Sequence, residues 1–424
     1  MIITIHPSTI YGTIQAPASK SSMQRACAAA LVKRGISHIF NVGQSNDDKA
    51  ALSILKSCGA QIVNNINGSI TIDSRGFLTK RHAFTVHCGE SGLGIRMFTP
   101  ILSLYPYWVT IEGKGSLLKR PMHFFDEVLP QLGVQIESQK GYLPIAVQGP
   151  MQAKDITIDG SLSSQYLTGL LMAYAALEPM HACIKVNNLN SKPYIDLTLD
   201  VMKQFGLSVP VHHKYEEFVF SNQDISNKPI SYTIEGDWSG AAFLLVAGAV
   251  AGQVSVSGLS MHSTQADKKI MEALTNCGAQ IQHHENSIGI HQSKDGLKAF
   301  HFDATDCPDL FPPLAVLAAC CEGTSRIAGV HRLTHKESNR ALTLQDELGK
   351  MNIVIQFEGD DMLIQGTKNI KGAIVSSRHD HRIAMACAIA GICAESAVII
   401  EDADAVNKSY PGFFEDIIAL AGQL

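Results

Sequence analysis

An α/β protein built from repeated β-α-β units is what this 424-residue chain predicts, on three observations. A unit of about seventy residues recurs six times, a longer period than that of the usual solenoids, which repeat at roughly 20–50 residues. Each copy sets a polar, often charged cluster at the mouth of an apolar, small-residue helix. Most copies then close a second helix on a stop signal and return to a β-branched strand. Six units divide evenly into two sets of three, so two similar domains are expected.

The clusters begin near Ser19-Lys20-Ser21, Gly89-Glu90-Ser91-Gly92, Ser163-Ser164-Gln165, Gly236-Asp237-Trp238-Ser239, Pro308-Asp309 and His379-Asp380-His381-Arg382. Behind them lie stretches such as Ala26 to Leu31, Leu167 to Ala176 and Ile383 to Ile392. Gly59, Gly133, Gly206 and Gly278 stand where a helix C-terminus favours a left-handed residue, and Asn352 takes that place in the fifth copy. Second helices are expected from Asp47 to Ser57 and Asp267 to Asn276, opening on acidic residues as the helix dipole prefers. Short strands are expected at Met1 to Ile5, Trp108 to Ile111, Ile156 to Ile158 and Val254 to Val256, with a domain boundary around Lys228 to Asp237.

The chain is 46% hydrophobic and 17% charged, the balance of a globular protein with large cores. A net charge of −5 argues against general binding to nucleic acid or membrane surfaces, while leaving room for an anionic small molecule in a local positive field. Ten scattered cysteines without a C-x-x-C pair are expected to be reduced, buried thiols. The opening Met1-Ile2-Ile3-Thr4-Ile5 lacks a basic leader, and no apolar run reaches the roughly 18 residues of a membrane span. A cytoplasmic address is expected.

Six helix mouths mean six sets of unsatisfied N–H donors and positive dipole ends, which make an anion site if the fold gathers them. At the first mouth, Lys20, Ser21 and Arg25 combine two charges and a hydroxyl, with Arg25 one turn beyond Ser21 on the same face. Lys336 and Arg340, spaced i, i+4 at what reads as another helix start, form a two-pronged clamp for a carboxylate or phosphate. Either segment alone also fits an ordinary capped helix with solvated charges. His379-Asp380-His381 has the spacing of a metal pair, but no third ligand stands at diagnostic spacing, so a helix start adding Arg382 to an anion pocket is the better reading.

Taken in order, Ser19-Lys20-Ser21, Arg120-Pro121-Met122, Ser163-Ser164-Gln165, Ser191-Lys192-Pro193-Tyr194, Pro308-Asp309, Lys336-Glu337-Ser338-x-Arg340, Asp380-His381-Arg382 and Lys408 resemble the 5-enolpyruvylshikimate-3-phosphate synthase (3-phosphoshikimate 1-carboxyvinyltransferase) family along essentially the whole chain. The resemblance implies a two-domain inside-out α/β barrel with three βαβαββ repeats per domain. One domain would span residues 20–235 and the other residues 1–19 plus 236–424, with hinge segments near Ala16 to Lys20 and Glu235 to Asp237 and the active site in the cleft. It implies transfer of the enolpyruvyl group of phosphoenolpyruvate to the 5-hydroxyl of shikimate 3-phosphate, with release of phosphate and no metal or organic cofactor. A monomer that closes on its substrates is expected.

Carried over by resemblance, Lys20, Ser21, Arg25, Ser163, Ser164, Gln165, Ser191, Tyr194, Asp309 and Lys336 surround shikimate 3-phosphate. Lys20, Gly92, Arg120, Gln165, Arg340, Arg382 and Lys408 surround phosphoenolpyruvate. Asp309 is the expected base for the 5-hydroxyl, and Glu337, with Lys20, the expected group for proton traffic at the methylene carbon. The sequence departs from the family at Glu90-Ser91-Gly92-Leu93, where Asn-Ala-Gly-Thr is usual, and at Arg332 and Asn339. Glu90 is expected to point away from the anion site or to pair with Arg96 or Arg120. Because Gly92 is kept, sensitivity to glyphosate is expected. The sister transferase acting on UDP-N-acetylglucosamine has Lys-Asn where this chain has Lys20-Ser21, and a loop cysteine absent from Ile111 to Pro121 here. RNA 3′-phosphate cyclases fit the motif set poorly, and a repeat-built binding protein without catalysis would not be expected to keep Lys20, Asp309, Glu337 and Arg382 together.

Overall fold

The computed structural model describes residues 1–221, 228–284, 287–334 and 336–422. The chain divides into two compact units, one of Ala18–Ile234 and one of Met1–Pro17 with Glu235–Leu424.

In the unit of Ala18–Ile234, three helices start at the first three polar clusters: Lys20–Val32, Gly92–Leu102 and Ser164–Leu177. Their N-caps are Ser19, Ser91 and Ser163, whose side-chain oxygens accept from Ser22 N, Gly94 N and Gln165 N. Small apolar residues on every side let these helices be buried all round: Ala26 to Leu31 and Leu170 to Tyr174 are wholly inaccessible. Gly169 shows how tightly they pack, since a methyl there would sit 2.6 Å from the Arg96 carbonyl oxygen and 2.8 Å from that of Met97.

Three four-stranded sheets cover them, each a parallel pair extended by two antiparallel strands. Phe84–His87 runs parallel to Val109–Glu112 with Phe84 opposite Val109, and Ile156–Asp159 parallel to His181–Asn187 with Ile156 opposite Ile184. Buried and exposed residues alternate along Ile156–Asp159 and Ile70–Asp73, so one sheet face meets the helices. The strand expected at Trp108 to Ile111 lies one residue later, because Trp108 stays outside the ladder and Glu112 pairs with His87.

The other unit repeats the plan around Trp238–Ala251, Phe311–Ala319 and His381–Ile392. Its sheets do not follow chain order. Ile10–Gln15 joins Gly252–Ser257 in parallel, and Ile3–Ile5 pairs antiparallel with Val398–Glu401, so the opening strands complete the fourth and sixth copies. Likewise Ile230–Thr233 lies parallel to Ile36–Phe40 of the first copy. The stretch expected as a boundary, Lys228 to Asp237, therefore contains a sheet strand, and the division between the units follows it. The expected helix Asp267 to Asn276 opens instead as a 3-10 turn, Ala266–Lys269, before Ile270–Asn276.

The five helix stops read from sequence all turn left-handed, with φ of 93° at Gly59, 81° at Gly133, 67° at Gly206, 84° at Gly278 and 65° at Asn352. All ten cysteines are free thiols, and seven are buried. Among the described residues no helix is long and apolar enough to cross a membrane, and no three His, Cys, Asp or Glu side chains group to hold a metal ion.

Candidate active site

In the unit of Ala18–Ile234, basic side chains gather at the serine-capped helix mouths. Lys20 Nζ lies 3.2 Å from Asp47 Oδ2, at the acidic start of Asn46–Ser57. Arg25 is wholly buried: Nε donates to Thr198 Oγ1 at 2.9 Å, Nη1 to the Ser21 carbonyl at 2.9 Å and Nη2 to the Tyr194 carbonyl at 3.3 Å. Burial pushes its guanidinium down to about 10, with Tyr194 and Tyr232 opposing, so it stays charged at neutral pH. Arg25 thereby ties Ser21 to Tyr194 across two helices.

Gly92 opens its helix beneath two arginines. A Cβ at Gly92 would collide with Arg120 Nη1 and lie 3.5 Å from Arg96 Nη1. Arg96 donates to Gln165 Oε1 at 3.0 Å and stands 5.2 Å over the Tyr166 ring, while Tyr166 Oη donates to the Pro121 carbonyl at 3.0 Å. These contacts gather Gly92, Arg96, Arg120 and Gln165. Ser164 is buried at the same mouth, and Ser163 caps it. Ser191 takes a left-handed conformation, φ 57°, and does not cap the helix Lys192–Gln204 that it precedes. The Glu90 carboxylate lies over Gly115, where an added Cβ would sit 2.5 Å from its carbon. Glu90 thus packs against the short helical turn Gly115–Lys119.

The other unit holds the carboxylates. Asp309, on the turn Pro308–Leu310 before Phe311–Ala319, receives Arg340 Nη1 at 2.9 Å, Arg382 Nη2 at 3.0 Å and Lys336 Nζ at 3.3 Å. Burial raises its proton affinity, but Arg382, Lys336 and Arg340 outweigh that and hold Asp309 well below the usual carboxylate range. Glu337 lies 2.7 Å from Arg340 Nη2 and 3.4 Å from Lys408 Nζ. Burial lowers the Lys336 ammonium, with Asp309 opposing. Four cations, Lys336, Arg340, Arg382 and Lys408, thus face three carboxylates, Asp309, Glu337 and Asp380. Arg340, Arg382 and Lys408 are buried, and such desolvated cations are suited to holding an anion.

One expectation is corrected here. Lys336 and Arg340 do not share a helical face, because the helix begins only at Arg340 with Asn339 as its cap. The two cations converge on Asp309 from a turn and a helix start instead. At the fourth mouth, Asp237 caps Ser239, and Trp238 N donates to Gln265 Oε1 at 3.1 Å. The sequence offered Arg96 only as a partner for Glu90, Asp47 only as an acidic helix start and Asp380 only as part of a motif, and not their contacts with Gln165, Lys20 and Arg340. The signal for Arg96 was its i, i+4 spacing from Gly92, and for Asp380 its place immediately before an apolar helix.

Two units, each built of repeats around buried helices with charged and polar clusters at the helix starts, define the fold class of the enolpyruvyl transferases. The enolpyruvyl transferase NikO from Streptomyces tendae superimposes with a TM-score of 0.78 at 16% identity, covering 99% of this chain and 97% of that one. EPSP synthase from Acinetobacter baumannii superimposes at 0.82 with 25% identity, covering 99% and 98%. The sequence matches the EPSP synthase (3-phosphoshikimate 1-carboxyvinyltransferase) family over residues 5–417. A 3-phosphoshikimate 1-carboxyvinyltransferase of Clostridium kluyveri is 35% identical over 422 residues, covering 100% of this chain and 98% of its own. One from Clostridium perfringens is 35% identical over 423 residues, covering 100% and 99%. The chain belongs to the EPSP synthase family.

Proposed function

We propose that this protein catalyses transfer of the enolpyruvyl group of phosphoenolpyruvate to the 5-hydroxyl of shikimate 3-phosphate, releasing phosphate, in the route to aromatic amino acids. The 5-hydroxyl oxygen bonds to C2 of phosphoenolpyruvate and loses its proton, while C3 gains one. The tetrahedral ketal then loses a C3 proton and phosphate, restoring the double bond.

The observation that carries the residue assignment is Asp309 bound by Lys336, Arg340 and Arg382, beside Glu337 bound by Arg340 and Lys408. Asp309 serves as base for the 5-hydroxyl, and Glu337 handles the methylene proton together with Lys20. With three cations on it, Asp309 is ionised but weakly basic. Substrate phosphate and carboxylate groups that take up those cations weaken their pull, so Asp309 becomes the stronger base once the site is filled. In the other unit, Ser21, Arg25, Ser163, Ser164, Ser191 and Tyr194 hold shikimate 3-phosphate, and Gly92, Arg120 and Gln165 receive phosphoenolpyruvate. The enzyme acts in the cytoplasm as a monomer, and glyphosate competes with phosphoenolpyruvate.

Phosphate release from phosphoenolpyruvate tests this reading, with shikimate 3-phosphate as acceptor and UDP-N-acetylglucosamine as control. Release only with shikimate 3-phosphate is expected; release driven by the UDP-sugar would sink it. Full activity at glyphosate levels that stop a sensitive relative would remove the inhibitor proposal alone.

A further inference from the structure

The helix Lys192–Gln204, which starts beside Ser191 and carries Tyr194, is held from two directions. Arg25 ties down the Tyr194 carbonyl, and Thr198 Oγ1 donates to the same oxygen at 2.8 Å. The second hold comes from the hairpin between Val211–His213 and Glu217–Ser221. At its tip, Glu216 N donates to the His213 carbonyl at 2.9 Å, and the two residues between, Lys214 and Tyr215, have φ of 52° and 62°. Asparagine and glycine are the residues that such a turn favours, so a lysine-tyrosine pair adopts it against its own preference.

The tyrosine at that tip reaches the helix. Its hydroxyl stands 2.8 and 2.9 Å from the two oxygens of Asp196 and donates to that carboxylate. Lys192 Nζ lies 5.7 Å from the centre of its ring. Behind it the His212 ring packs at 4.6 Å and is itself stacked at 5.5 Å on the buried Phe218. Contacts thus run from the core through Phe218, His212 and Tyr215 to Asp196 and Lys192, within the first turn and a half of the helix. Ser191, at the helix start, is itself left-handed. A strained residue of this kind persists where its surroundings over-determine it.

We propose that Tyr215 is a positioning residue for shikimate 3-phosphate: its bond to Asp196 holds the start of Lys192–Gln204 so that Ser191 and Tyr194 are ordered before the substrate arrives. The proposal rests on the assignment of Ser191 and Tyr194 to that substrate. A site ordered in advance spares binding the entropy of ordering it. Tyr215 touches no reacting atom, so its effect belongs in affinity for one substrate and not in the chemical step.

Tyr215→Phe keeps the ring between His212 and Lys192 and removes only the hydroxyl. With both substrates varied, KM for shikimate 3-phosphate should rise roughly three- to tenfold, with kcat and KM for phosphoenolpyruvate within about twofold of wild type. Asp196→Asn, which keeps an acceptor for the phenol, should fall between wild type and Tyr215→Phe. Ser191→Ala in the same assay reports on the underlying assignment. A normal KM in Ser191→Ala would overturn that serine's place in the site and the proposal with it. A raised KM there, beside a normal KM in Tyr215→Phe, would overturn the proposal alone. So would KM values for both substrates rising together with a lowered thermal midpoint, the mark of a merely structural bond.

Discussion

Arg340 Nε and Nη2 donate to the two oxygens of Asp380 at 3.0 and 3.2 Å, and both side chains are wholly buried. This two-toothed bond aims the remaining donors of Arg340, Nη1 at Asp309 and Nη2 at Glu337. Asp380 also caps His381–Ile392, accepting from Arg382 N at 3.0 Å. One carboxylate therefore orients two of the four cations in its cluster.

Asp380→Asn keeps the cap and removes the charge. We expect kcat/KM for phosphoenolpyruvate to fall about 10- to 100-fold, because Arg340 loses its orienting partner. Steady-state kinetics check this, and wild-type kinetics would show that Arg340 is held by other means.

Asp309→Asn and Glu337→Gln should each lose turnover, by about 10²–10⁴-fold for positioned proton transfer, with substrate binding largely kept. Single-turnover kinetics alongside equilibrium binding separate the two effects. Unchanged turnover in either variant would remove that residue's role.

Gly92→Ala places a methyl against the Arg120 guanidinium. The atom met is the far end of a flexible side chain, so the arginine moves and the fold survives. KM for phosphoenolpyruvate should rise by roughly tenfold or more with little change in the thermal midpoint. A loss of stability with unchanged KM would contradict this placement of Arg120.

Glu347 is buried without exposure and takes Lys350 Nζ at 2.6 Å, Arg378 Nε at 2.8 Å and Ser376 N at 2.9 Å. Burial pushes its carboxyl up, but the bonds from Lys350, Ser376 and Arg378 win and hold it below its ordinary value. Its folded affinity for a proton is thus lowered, so it stabilises above the ordinary carboxylate range and loses that contribution as pH falls through the folded value. Glu347→Ala should cost about 1–3 kcal/mol, because Lys350 and Arg378 are exposed enough to be solvated once it is gone, read by denaturant unfolding near neutral pH.

Asp48 behaves in the opposite sense. Burial pushes its carboxyl up to about 7, against the bonds from Ser45. The folded state holds the proton more tightly than the unfolded chain, so stability falls as pH rises from about 4 to about 7 and levels off above. Asp48→Asn should flatten that slope in thermal unfolding across this range, and an unchanged slope would assign it elsewhere.

The helix mouths were legible because a cap, a charged cluster and an apolar run are local in sequence, and the left-handed stops at Gly59, Gly133, Gly206, Gly278 and Asn352 are single-residue properties. The start of the helix at Arg340 was not legible, since Lys336-Glu337-Ser338-Asn339 offers cap and helix alternatives that only burial of Arg340 separates. The bond from Arg96 to Gln165 was not legible because the two lie 69 residues apart.

By itself the sequence determined the repeat, the class of each element and the residue types at each mouth, since periodicity and capping act over a few residues. Only the tertiary structure decided which sheet each opening strand completes and which carboxylate each cation binds. Ile3–Ile5 pairs with Val398–Glu401, and Asp309 gathers Lys336, Arg340 and Arg382, because close packing and the penalty for a buried unpaired charge act through space. Those forces leave no local mark in the order of residues.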